Sequence, residues 1–152
     1  MTEQPTMQEH AVTIERVLDA PRDLVWRAFT DPDEVTKWWG PEHFTTPRET
    51  IEFDLRPGGA CRLTMIGPDG QEYPNDGHFG IVEAPERFSL GGKVDNNPMM
   101  ESVETTFEFI ALDEKRTKVI VTSRMICVEA LIAMANAGWN SQMDKLVRLL
   151  AE

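Results

Sequence analysis

Cysteine is scarce in this chain of 152 residues, which carries only Cys61 and Cys127. Two isolated thiols build no disulfide framework. Neither sits in a CxxC pair, and neither has a histidine at zinc-ligand spacing. Both are expected to be reduced, buried and structural, with no metal and no other cofactor.

Long apolar runs are missing as well. None approaches the ~20 residues that a membrane helix needs. The segment Met1 to His10 is polar and lacks the basic-then-apolar order of a signal peptide. Positive charge is in short supply: 15 Lys and Arg face 26 Asp and Glu, a formal net charge of −11. Such a surface repels nucleic-acid phosphates and anionic membranes, and it favours solubility. The expectation from these absences is a cytoplasmic protein with no nucleic-acid partner and no membrane insertion. Catalytic signatures are also thin. There is no GxSxG turn, and the three histidines are His10, His43 and His78.

What is present is a clear succession of periodicities. The length suits one domain with one core, so residues 1–9 read as a disordered tail and 10–152 as a single domain. His10 to Leu18, rich in β-branched residues, reads as a strand. Pro21 opens a short helix with an apolar stripe of Leu24, Val25, Ala28 and Phe29. Asp31 and Pro32 start a second short helix carrying Val35, Trp38 and Trp39, which Gly40-Pro41 stops. Strands then follow. Glu49 to Leu55 alternates, with Ile51, Phe53 and Leu55 on one face. After Pro57-Gly58-Gly59, Cys61, Leu63 and Met65 alternate, and Pro68-Asp69-Gly70 turns the chain. His78 to Glu83 and Phe88 to Leu90 flank a turn at Ala84-Pro85-Glu86. Val103, Thr105, Phe107 and Phe109 alternate with Glu104, Thr106 and Glu108, which makes one face buried and one wet. Val119, Val121 and Ser123 mark the last strand.

Val128 to Leu150 is a long amphipathic helix, with Leu131, Ala135, Trp139, Met143, Leu146 and Leu150 at helical spacing. Gly138 in its middle costs ~1 kcal/mol relative to Ala, so close packing is expected there. Sequential antiparallel strands with a segregated helix define an α+β fold. The apolar face of the sheet must receive the long helix.

The run from Ala20 to Pro32 followed by Lys37-Trp38-Trp39-Gly40 resembles the opening of the AHSA-type proteins. These are homologues of the heat-shock chaperone ATPase activator within the START-like, helix-grip superfamily (SRPBCC). Asp54 to Gly59, Glu83 to Phe88, and Gly138-Trp139 with Met143 to Leu146 fit the same family. The resemblance spans residues ~11 to 151, the size of one whole domain. It implies a seven-stranded antiparallel sheet wrapped around the C-terminal helix, two short helices after the first strand, and a cavity between sheet and helix. It does not imply one activity, because members bind lipids, hormones or polyketides, and some act as cyclases, hydrolases or self-resistance proteins. Chaperone co-activation is the lesser expectation, because the eukaryotic activators carry an additional N-terminal domain.

The expected function is binding of a small apolar, amphipathic or aromatic molecule without catalysis. The expected lining is Trp39, Cys61, Leu63, Met65, His78, Phe107, Val121, Met125, Leu131, Met134, Ala135 and Trp139. Six methionines (Met65, Met99, Met100, Met125, Met134 and Met143) lie in or beside predicted elements and suit either an adaptable pocket or an irregular core. Trp38 and Trp39, being adjacent, cannot face the same way. Trp39 lies near the cavity mouth in the family reading. The alternative is a cofactor-independent cyclase, dehydratase or hydrolase in which His78 and a carboxylate, Glu104, handle protons. By strict alternation His78 shares a face with Val82, and it turns inward if Val82 does. Asp54 and Arg56 read either as a charged pair at the cavity mouth or as a surface ion pair of little energetic weight. Gly91 to Met100 reads as a loop that either lids the pocket or is inert. The chain is expected to be a monomer or a weak homodimer, with the Trp38/Trp39 region or an edge strand as the contact.

Overall fold

A computed structural model describes residues 6–93 and 99–150. The strands are β1 (Gln8–Leu18), β2 (Glu52–Phe53), β3 (Ala60–Ile66), β4 (Glu72–Glu83), β5 (Arg87–Lys93), β6 (Met100–Ala111) and β7 (Thr117–Cys127). The helices are α1 (Arg22–Thr30), α2 (Pro32–Val35) and α3 (Ala130–Leu150). All seven strands form one antiparallel sheet in the order β1-β7-β6-β5-β4-β3-β2. The fold is therefore the α+β helix-grip arrangement, with two short helices after the first strand.

Local chemistry explains most of the boundaries. The Asp31 side chain accepts from the Asp33 N–H and caps α2, with Pro32 at its first position. Pro21 is the cap of α1 rather than its first helical residue. Helix α2 is shorter than its apolar pattern implies. It stops at Val35, and Trp38 and Trp39 follow in turns whose amides still reach the Val35 carbonyl. The buried Trp38 indole donates to the Ala28 carbonyl at 2.9 Å, satisfying an acceptor at the end of α1. The alternating segment Glu49 to Leu55 is mostly not a strand. Arg48–Thr50 forms a 3-10 turn, closed by the Thr50 hydroxyl on the Pro47 carbonyl at 2.7 Å, and only Glu52 and Phe53 pair with β3.

Helix α3 packs mainly on β1, where Arg16 donates to Asn140 at 2.6 Å. It buries Gln142, Met143 and Leu146. Because α3 sits toward the β1 edge, other parts of the chain must cover the middle and the β3–β5 side of the inner face. Helix α1 and the two tryptophans do so. Phe29 packs against Trp38, Phe107 and Phe109 at ring distances of 4.8 to 5.3 Å. The space beneath the helices is thus largely filled by rings. Gly138 corrects one expectation, since a Cβ there would meet no atom within 4 Å. This glycine has no packing role in the described residues. Strands β5 and β6 also extend into the stretch read as a Gly91-to-Met100 loop. They take in Gly91 to Lys93 and Met100, and residues 94–98 lie outside the described residues.

Candidate functional site

The inner face of the sheet ends in a hollow of about 340 Å³ on its β3–β5 side. Trp39, Cys61, Leu63, Leu90 and Val103 supply its apolar wall, and Pro74 to Gly77 with Gly91 to Lys93 complete it. Two features create the space. First, Gly77 lies opposite Cys61 on the inner face, and a Cβ on Gly92 would sit 3.9 Å from the Gly77 Cα. Two neighbouring positions therefore carry no side chain. Second, Gly77 cannot grow one, because its Cβ would stand 2.8 Å from the Gly91 carbonyl oxygen.

Trp39 closes the hollow from above. It is 7 % exposed and packs edge-on against Trp139 at 5.9 Å. Its neighbour Trp38 is turned into the ring cluster, so the pair divides between core and hollow. Burial pushes the Cys61 thiol up to about 12. It stays neutral at physiological pH and acts as apolar wall. The rim is polar. Asn75, Asp76 and Lys93 are exposed, and Asp76 is held by Arg62 at 3.0 Å.

The loop that carries Trp39 is tied to α3. The Lys145 Nζ donates to the carbonyls of Gly40, Pro41 and Phe44 at 3.1, 3.5 and 3.4 Å. The Gly40 N–H donates to Gln142 Oε1 at 3.3 Å, and the Glu42 N–H to Ser141 Oγ at 2.7 Å. Arg148 pairs with Glu42 at 2.6 Å, and this hydrogen bond holds the Glu42 carboxyl below the usual carboxylate range. Burial moves the Lys145 ammonium below the ordinary lysine range, with Glu42 opposing and Arg148 adding to the effect.

Of the residues expected from sequence to line a pocket, only Trp39, Cys61 and Leu63 meet at this hollow. Phe107, Val121 and Met125 are core, each at most 2 % exposed. Met65 is half-buried beside Gly40, and a Cβ on that glycine would lie 3.5 Å from its sulfur. Leu131, Ala135 and Trp139 are partly buried against the core, outside the lining. Met134 is 69 % exposed and points away from the sheet. The expected wall from α3 is thus absent from the lining, because the helix lies toward β1.

His78 is the clearest correction. It is exposed, on the outer face of the sheet. The strand carries an irregularity between Phe79 and Val82, so both of these turn inward and the alternation linking His78 to Val82 breaks. Glu104 is exposed on the same outer face, with Gly91 between the two in register. Adjacent strands lie ~4.8 Å apart, so the two backbones are separated by about 10 Å. Neither residue reaches the hollow. Asp54 and Arg56 form an exposed ion pair at 2.7 Å, outside the lining. Sequence reasoning missed Gly77, Leu90, Gly92 and Val103. The glycines gave a signal, because glycine in a strand interior marks a place where something approaches closely.

No group of three or more metal-ligating side chains occurs among the described residues. No helix among them is long and apolar enough to cross a membrane.

The family model described as Activator of Hsp90 ATPase homolog 1-like protein matches residues 19–151. Among solved structures, protein CV1439 from Chromobacterium violaceum is similar with a TM-score of 0.81 at 26 % identity, covering 93 % of this chain and 97 % of that one. Protein NE0264 from Nitrosomonas europaea gives 0.77 at 26 % identity, covering 93 % and 94 %. The AHSA1 (SPO3351) protein from Silicibacter pomeroyi gives 0.79 at 22 % identity, covering 93 % and 98 %, a likeness of fold. No curated protein matches.

Proposed function

The chain belongs to the Activator of Hsp90 ATPase homolog 1-like family, and from that premise we propose that its hollow binds a small apolar or amphipathic molecule without transforming it. The observation that carries this reading is the lining itself. An indole, three aliphatic side chains and a neutral thiol surround a floor where Gly77 and Gly92 bring no side chain. Its volume, about 340 Å³, falls within the range of small-molecule sites. The polar groups stand at the rim, where they orient one end of an amphipathic molecule while its body is desolvated. The two groups that sequence offered for proton transfer, His78 and Glu104, face solvent on the other side of the sheet, which favours binding over catalysis.

A thermal-shift screen with aromatic and lipid-like compounds tests the reading. A compound at 100 times its dissociation constant adds about 2.7 kcal/mol, which for a domain of this size raises the melting temperature by roughly 5–10 °C. Val103→Trp places an indole in the hollow and should abolish the shift. A panel that leaves the wild type unmoved, or a hit that stabilises Val103→Trp equally, would count against the hollow as the site.

A further inference from the structure

We infer that Lys145 is a positioning residue that holds the Trp39 wall over the hollow. The inference rests on the proposed site only in taking the hollow as the place of interest. One ammonium gathers three carbonyls of the segment that follows Trp39: Gly40, Pro41 and Phe44. These are main-chain acceptors, so the contact fixes the path of the backbone rather than one side chain. Gly40 has φ +99, a left-handed conformation that breaks the helical path just after the indole. Its amide is held from the same helix by the buried Gln142. The segment therefore has few ties of its own kind: Phe44 N–H to the Pro41 carbonyl at 3.0 Å is its internal hydrogen bond. Residues 40–44 are otherwise anchored through Ser141, Gln142, Lys145 and Arg148 on α3, while the ends of the segment are held elsewhere: the Trp39 carbonyl accepts from the Thr46 hydroxyl at 2.9 Å, and Thr45 pairs with Ile66.

Two consequences follow. The long helix lines none of the hollow, yet it ties down the segment that follows the wall residue Trp39. A residue placed outside the lining then governs access to Cys61 and Leu63 beneath Trp39. Hydrogen bonds from charged donors are worth more than neutral ones, and several to one ammonium act as a unit.

Cys61 is the built-in reporter, because it lines the hollow while Cys127 is buried outside it. The test is alkylation with iodoacetamide at pH 8, with each cysteine quantified separately by peptide mass spectrometry. No ligand enters, so failure of the binding reading leaves this outcome untouched. In Lys145→Met the Cys61 rate should rise about tenfold, as loss of a charge-assisted hydrogen bond implies. The Cys127 rate should stay at its wild-type value. Lys145→Arg, which offers donors to the same carbonyls, should return Cys61 to nearly the wild-type rate. An unchanged Cys61 rate in Lys145→Met overturns the inference. So does a parallel rise at Cys127, which would mean general loosening, and so does an Arg variant that behaves like Met. Should Lys145→Met fail to fold, Gln142→Ala removes the acceptor of the Gly40 amide and is read in the same way.

Discussion

Phe79 and Val82 both face the interior although they stand three residues apart on one strand. In a regular strand that spacing puts two side chains on opposite faces. Here the register shifts between them, and Gly80 and Ile81 take up the extra length. The buried Ser89 hydroxyl accepts from the Ile81 N–H at 2.9 Å and holds the distortion. A Cβ on Gly80 would stand 2.5 Å from that oxygen.

Gly80→Ala should therefore destabilise by about 1–3 kcal/mol, because Ser89 must rotate and leave the Ile81 amide unpaired. His78→Ala, two residues away on the exposed side, should change stability by less than about 0.5 kcal/mol. Urea unfolding at neutral pH measures both. Equal costs at the two positions would contradict the bulged strand.

Helix α3 offers a second contrast. Gly138→Ala should stabilise by up to about 1 kcal/mol, because the helix gains propensity and the new methyl meets open space. Met143→Ala, at a position with no exposure, should cost about 2–5 kcal/mol. Met134→Ala should be nearly neutral, since that side chain is mostly in water. A destabilising Gly138→Ala would restore the close packing that the sequence suggested.

Cys61 makes stability depend on alkaline pH. Its thiol is raised from 9.0 to about 12 in the folded protein. Below about 9 both states hold the proton and the group contributes no slope. Between 9 and 12 the unfolded chain ionises first and binds fewer protons, so stability falls as pH rises. The slope from one such group is at most about 1.4 kcal/mol per pH unit. Cys61→Ala removes it. The stability difference between wild type and variant should shrink steadily from pH 9 to pH 11 in denaturant titrations, and a constant difference would refute the assignment.

Much of the fold was legible from periodicity. Alternation in Val103 to Phe109 and in Val119 to Ser123, and the helical spacing from Leu131 to Leu150, each reflect one element with one buried face. The Asp31-Pro32 start of α2 was legible for a similar reason, since a cap is made within a few residues. The segment around Ile51 was not. A hydroxyl bond from Thr50 to Pro47 competes there with strand pairing, and alternation looks the same in either case.

The site was far less legible. Trp39, Cys61 and Leu63 could be named because they lie on apolar stripes beside turns. Stripes alone do not say whether a side chain meets another side chain or a space. Phe107, Val121 and Met125 have the same pattern as Cys61 and Leu63, yet they are packed into the core and line no space.

By itself the sequence determined the order of the main elements, their antiparallel kinship and the apolar face of the regular ones, because these depend on residues near one another along the chain. The tertiary structure decided the rest: that α3 lies toward β1, that one irregularity turns His78 outward, and that two glycines from different strands meet to leave a hollow. Each of these depends on where distant segments come to rest, and the free energy that decides it is shared among contacts that no single stretch of sequence contains.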